Sequence, residues 1–209
     1  MAAPDRSVEN GAEDDPRARW NARHRERVRD ATDPAEPATF LTERADLLPE
    51  GGRALDVAGG TGRNALWLAG RGLDVTLVDV SDTACAEATA RAVATGISLD
   101  VVRADLTVDP VPAGPWDVIV VHHFLDRDLW RRLPSHLAAG GLLFACQATV
   151  TNLERHGRPG RRWLLDDGEV ATLAADLRAA DPDLEVLEMT EGWTAEGRHE
   201  ARLVLRRRG

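Results

Sequence analysis

Four stretches of this chain set residues capable of chemistry at the ends of apolar runs. In the first, Arg53 to Ala69 reads RALDVAGGTGRNALWLA, an apolar run carrying Asp56, then Gly59, Gly60 and Gly62, then Ala65, Leu66 and Leu68 at helical spacing. This reads as strand, tight turn and helix. Glycines there let the backbone fold sharply and let a ligand reach main-chain N–H groups, and the following helix aims its own free N–H groups at the same point. Such a turn binds a cofactor. In the second stretch, Leu73 to Val78 closes on Asp79, 17 residues beyond Gly62. That is near the ~20 expected of a carboxylate that hydrogen-bonds ribose hydroxyls. In the third, Ile97 to Val102 exits through Arg103-Ala104-Asp105-Leu106, and in the fourth, Trp116 to Val121 ends in His122 and His123. The ends of such strands are where an open α/β sheet holds its ligands.

The elements that must position these residues follow from pattern. From Arg17 the text turns helical, with Trp20 as its large apolar anchor, until Pro34 and Pro37 break it; a second helix runs from Ala38 to Leu48. Helices are expected over 82–95, closed by Gly96, over 126–137, and over 167–180. Ala139-Gly140-Gly141 reads as a turn before a fifth strand, Leu142 to Cys146. A long polar loop then spans Gln147 to Asp167, and 184–189 and 199–205 form an antiparallel hairpin. Strands alternating with helices specify a doubly wound, Rossmann-like parallel sheet with helices on both faces. Residues 1–16 are polar and punctuated by Pro and Gly, and read as a disordered tail ahead of one domain over 17–209, whose first part, 17–48, is a helical lid.

The glycine turn fits two cofactor classes. Gly60, Gly62 and Ala65 satisfy G-x-G-x-x-G/A, the dinucleotide fingerprint. The same residues resemble motif I of class I S-adenosylmethionine (SAM) methyltransferases, an acid at the strand end followed by a glycine turn. Asp56 decides between them, because a carboxylate has no use facing a pyrophosphate but can orient the amino group of a methionine moiety. Ala58 stands where that family's first glycine usually lies, and alanine fits there with a negative φ.

Further stretches resemble the small-molecule group of these enzymes related to tellurite-resistance and thiopurine methyltransferases. W-N-x-R-H at 20–24 resembles their opening, which implies that Trp20 and Arg23 sit near the cofactor or substrate mouth. R-A-D-L at 103–106 resembles their adenine element, and R-R-W-L-L at 161–165 resembles a stretch that overhangs the substrate. The resemblance implies a seven-stranded sheet of order 3-2-1-4-5-7-6 with strand 7 antiparallel. It implies SAM bound by Asp56, Gly59, Gly60, Gly62, Asp79 with Val80, Asp105 with Leu106, and His122. Arg161, Arg162 and His156 suit an oxyanion or carboxylate substrate, and His122, His123 or His156 a proton from the acceptor. The (D/N)-P-P-(Y/F) of methyltransferases acting on amides and nucleobase amines is replaced here by His122-His123-Phe124.

Composition excludes several alternatives. The chain has 209 residues, room for one domain, and its formal net charge of −9 without a basic block argues against a nucleic-acid partner. All 26 basic residues are arginine and tyrosine is absent, so no lysine forms a Schiff base and no Tyr/Lys pair serves a dehydrogenase. Cys85 and Cys146 lack metal or disulfide spacing, and adjacent histidines in a strand point to opposite faces, so no metal site is expected. No segment approaches ~18 apolar residues. The expectation is a cytoplasmic enzyme, monomer or homodimer, that methylates a thiol, oxygen or chalcogen oxyanion of a small molecule. The competing readings are an NAD-dependent oxidoreductase and a non-catalytic SAM-binding regulator.

Overall fold

Adjacent residues of the central strands are buried alike, which requires a sheet covered on both faces. In β4 (Trp116–His122), Val118 and Val120 enter a core shared with Ala65 and Leu68, while Ile119 and Val121 enter one shared with Leu129, Trp130 and Leu173. The computed structural model describes residues 15–30 and 36–209. Most of the tail expected over 1–16, and Pro34, lie outside them.

Strands β1 (Gly52–Val57), β2 (Leu73–Asp79) and β3 (Asp100–Arg103) join β4 in parallel, and β5 (Leu137–Ala148) extends the sheet. Strand β7 (His199–Arg207) runs antiparallel to both β5 and β6 (Leu184–Trp193). The seven-stranded order is β3-β2-β1-β4-β5-β7-β6, as the resemblance implies. Helix α1 (Pro16–Arg29) leads to the short α2 (Thr39–Thr42). Helices α3 (Arg63–Ala69) and α4 (Asp82–Thr95) pack on one face of the sheet, and α5 (Arg127–Arg132) and α6 (Glu169–Ala180) on the other. The caps are local: Ser81 Oγ accepts from Ala84 N–H, Asp126 from Leu129 N–H, and Gly96 ends α4 at φ 69°. Among the described residues no helix is long and apolar enough to cross a membrane.

Several boundaries differ from the sequence reading: the helix expected over 38–48 is α2 followed by a 3-10 turn at Ala45–Leu47, and the hairpin strands run on to Trp193 and Arg207. The Gly140-Gly141 turn lies inside β5, where the register against β4 jumps from Trp116↔Leu137 to Val118↔Leu142. A Cβ on Gly141 would meet Trp116 O at 2.7 Å, so glycine is required where the two strands close up again. The polar loop begins later than Gln147, because Gln147 and Ala148 still pair with Ala201 and Glu200 of β7; beyond it the chain forms 3-10 turns at Val150–Glu154 and Arg161–Trp163. The helix expected over 126–137 is α5 followed by a 3-10 turn at Leu133–His136 that contains Pro134. The third strand starts at Asp100, not Ile97.

Candidate active site

The glycine turn lies between two buried carboxylates. Asp56 ends beneath it, 1 % exposed, and Oδ2 accepts from Ala65 N–H at 3.1 Å in the first turn of α3. A Cβ on Gly59 would stand 2.7 Å from that oxygen, so acid and glycine are fitted to each other. Burial pushes Asp56 up to about 7, against the pull of the Ala65 N–H and the Arg63 charge. Asp79, at the end of β2, accepts from Gly60 N–H at 2.9 Å and Ser81 N–H at 2.8 Å, which couples the second strand's end to the turn. Burial raises its pKa too, opposed by those N–H groups and by His24.

The backbone of the turn differs from expectation at one residue. Ala58 has φ 51°, in the left-handed region, not the negative φ that alanine prefers. A side chain there costs about 1 kcal/mol, so Ala58→Gly is expected to stabilise the chain by roughly 0.5–1 kcal/mol. Ala58→Val should do the reverse, both read as urea midpoints.

The other predicted ligands divide. Ala104 N–H donates to Asp79 O at 3.1 Å, so the exit of β3 lies against the turn. The Asp105 carboxylate instead accepts from Thr107 N–H at 3.0 Å and Thr107 Oγ1 at 2.6 Å, capping its own loop, and Leu106 is buried in the core. Val80 follows Asp79 on the strand exit.

Helix α1 lies across this edge through residues beside those the sequence singled out. Asn21 Oδ1 accepts from Ser81 Oγ at 2.7 Å and from Thr83 N–H at 3.2 Å, and Arg17 pairs with Asp82 at 2.7 Å. His24 is buried, and a Cβ on Gly60 would stand 3.5 Å from its Cε1. Arg17, Asn21 and His24 recur every three or four residues, one helical face, and that spacing was the available signal. Trp20 lies 5.9 Å from the His24 ring with Arg23 stacked on it at 5.1 Å. Arg19 covers Trp163 at 4.9 Å, which joins α1 to the 3-10 turn Arg161–Trp163. Arg23 is held below its usual pKa by burial and by the charges of Arg27, Arg158 and Arg198.

His122 and His123 come together, contrary to the alternation argument. His123 has φ 59°, leaves the strand, and donates its N–H to Cys146 O at 2.9 Å, so the two rings lie 4.0 Å apart. Arg63 Nη2 reaches His122 Nδ1 at 3.2 Å, and His123 Nε2 meets Glu200 Oε1 at 2.8 Å. Burial, then the charges of His123, Arg63, Arg202 and Arg198, push His122 well below its usual pKa, so it is neutral. Glu200 is buried, which alone would raise its pKa. The bond and charge of His123, the Cys146 thiol and the Arg202 charge bring it down to about 2. Donor atoms of His122, His123 and Cys146 fall within 4.8 Å of one another. Three surrounding arginine charges oppose a dication there, and burial followed by the Glu200 charge keeps the Cys146 thiol protonated.

Glu200, Arg63 and Arg202 were not found by sequence reasoning. Their signal was weak: an acid and an arginine just ahead of the apolar run Leu203–Leu205, and an arginine next to the glycine turn. The loop residues named instead lie apart from the histidine pair. Arg161 pairs with Asp166, Arg162 stacks on Trp163 at 4.9 Å, and exposed His156 bonds to Gly197 O at 2.7 Å through Nε2.

A family described as a methyltransferase domain matches residues 54–141, from β1 to the glycines of β5. None of the curated proteins matches. Among solved structures, the chain resembles an S-adenosylmethionine-dependent methyltransferase from Clostridium acetobutylicum at TM-score 0.64 and 14% identity, covering 90% of this chain and 98% of that one. Magnesium protoporphyrin IX methyltransferase (ChlM) from Synechocystis, solved with bound SAH, gives 0.64 and 18%, covering 91% and 97%. TehB from Haemophilus influenzae gives 0.65 and 18%, covering 87% and 66%. The cofactor to which these comparisons point is S-adenosylmethionine, and the chain has the seven-stranded fold of the methyltransferases that use it.

Proposed function

We propose that this chain is a SAM-dependent methyltransferase acting on a small-molecule acceptor, a thiol, an oxygen or a chalcogen oxyanion. The observation that carries the reading is the turn Gly59–Gly62 fixed between two buried strand-end carboxylates, with Gly60 N–H on Asp79 and Ala65 N–H on Asp56. Gly60 has φ 58°, and a Cβ added there would be in van der Waals contact with His24 Cε1 at 3.5 Å, so α1 closes directly over the turn. In this reading Asp79 and Val80 take the ribose, the exit of β3 at Asp105 and Leu106 flanks the adenine, and Asp56 holds the turn to which the methionine moiety binds. Helix α1, with Trp20 and Arg23, is the lid, and Arg161 and Arg162 belong to the substrate-side turn that it touches through Trp163.

When bound, the cofactor supplies a methyl group on a sulfonium whose positive charge disappears in the transfer. The protein therefore has to align the acceptor and exclude water more than it has to supply charge. The partly buried histidine pair among Arg63, Arg198 and Arg202 favours an acceptor that is anionic or becomes so.

Calorimetric titration with S-adenosylhomocysteine (SAH) and, separately, NADH tests the cofactor. Saturable binding of SAH and none of NADH is expected. Binding of NADH alone would establish the oxidoreductase reading, and tight SAH binding without transfer to any thiol, phenol, carboxylate or chalcogen oxyanion would establish the regulator.

A further inference from the structure

The two neighbouring histidines use their nitrogens differently. A guanidinium has donors only, so His122 Nδ1, 3.2 Å from Arg63, must accept, and the ring's proton stands on Nε2. Its basic nitrogen is occupied. His123 Nε2 faces Glu200, whose carboxylate is ionised and accepts, so that nitrogen carries the proton and Nδ1 keeps its lone pair. No hydrogen-bond partner takes His123 Nδ1 among the described residues. Glu200 is itself fixed, by Arg202 at 3.1 Å and by the Cys146 thiol at 3.3 Å. A carboxylate behind an imidazole orients the ring and balances the charge that it gains with a proton. The left-handed backbone of His123 is what carries its ring out of the strand to this position, and unfavourable backbone of this kind concentrates at functional sites.

We propose that His123 is the general base of the transfer, that Glu200 is its positioning residue, and that His122 acts only as a donor through Nε2–H. This rests on the methyltransferase reading and narrows it: the acceptor is a small O–H or S–H compound with a proton to lose, not an oxyanion attacking through a proton-free atom. In the step, the acceptor's X–H bond breaks and the proton goes to His123 Nδ1. The X–C bond forms as the donor's C–S bond breaks, its electron pair returns to sulfur, and the imidazolium then passes its proton to water. The charged and titratable groups around the pair are Arg63 at the start of α3, Cys146 on β5, and Arg198, Glu200 and Arg202 on β7 and its approach. Glu200 is the anion in contact with His123.

Two measurements test this. Long-range 1H–15N correlation spectra of histidine-labelled protein, with and without SAH, should find His123 protonated on Nε2, and Glu200→Gln should turn it into a mixture of tautomers. A proton on Nδ1, or a tautomer unmoved by Glu200→Gln, would overturn the proposal even if no acceptor is found. With a thiol and phenol panel, His123→Asn is expected to lower kcat by about 100-fold and to remove the ascending limb of its pH profile. Glu200→Gln should lower kcat by about 10-fold and shift that limb, whereas His122→Asn should retain it. Affinity for SAH should be unchanged in His123→Asn and Glu200→Gln. Selenite methylated at a rate indifferent to His123→Asn would overturn the assignment of both base and acceptor class, and loss of SAH binding in the wild type would instead overturn the cofactor reading.

Discussion

Asp56→Asn is expected to remove a fall in stability that the wild-type chain shows as pH rises through neutrality. The folded pKa of about 7 lies above the ordinary 3.8, so the native state binds this proton more tightly than the unfolded chain. Its contribution is fully present below pH 3.8 and is lost as pH rises through about 7. The whole span corresponds to about 4 kcal/mol at ~1.4 kcal/mol per pH unit, an order-of-magnitude figure. Asparagine keeps the shape and the acceptor for Ala65 N–H but cannot ionise. The difference in unfolding free energy between variant and wild type, from urea curves, should therefore move in favour of the variant by roughly 2–3 kcal/mol between pH 5 and pH 8. A constant difference would mean that Asp56 is ionised throughout. The comparison with asparagine isolates this residue from Asp79, whose raised pKa acts with the same sign, and from Glu200, whose contribution is present above pH 4.5 and lost as pH falls toward 2.

Asp79→Ala is expected to weaken SAH binding about 100-fold, which is ~3 kcal/mol. A carboxylate offers about four lone-pair positions; Gly60, Ser81 and Val80 N–H groups draw on those of Asp79, and the His24 charge faces it. A ribose hydroxyl would add a hydrogen bond to a charged group, which contributes ~1.5–3 kcal/mol. Asp79→Asn keeps one acceptor and should lose about 10-fold. Calorimetry on both variants checks the ordering; unchanged affinity in Asp79→Ala would place the ribose elsewhere.

How much of this the sequence carried depended on the range of the interaction. The strand-end acids were legible because a buried parallel strand is a continuous apolar run, and the residue that stops the run stands at the sheet's edge. Gly96 was legible as punctuation for the same local reason. Where the chain breaks its own pattern, the sequence was silent. Ala58 adopts a glycine's backbone because the hydrogen bond from Gly59 to Val78 O and the packing of Gly59 on Asp56 hold the turn from outside it. His123 looks like the next residue of a strand and turns away because its N–H finds Cys146 O on β5. Gly140 and Gly141 read as a turn because composition cannot tell a turn from a bulge. Glu200 meets His123 across 77 residues, a pairing that depends on the antiparallel placement of β7, so no spacing announces it. The arginines of the polar loop drew the substrate assignment because charge in a loop is conspicuous. Arg63 and Arg202, set on the framework, stand closer to the histidines.

The docking of α1 has a kinetic consequence. Asn21 and Arg17 fasten this helix to Ser81 and Asp82, the residues that follow Asp79, and His24 covers Gly60. A cofactor seated on the turn would lie under that helix, and so would its spent form after transfer. Exchange of one for the other then waits on the helix lifting, and in enzymes with such covers opening often limits the overall rate. Asn21→Ala, which loosens the cover without touching the chemistry, would in that case shorten the residence of SAH and raise steady-state turnover, while a single turnover of preloaded enzyme kept its rate.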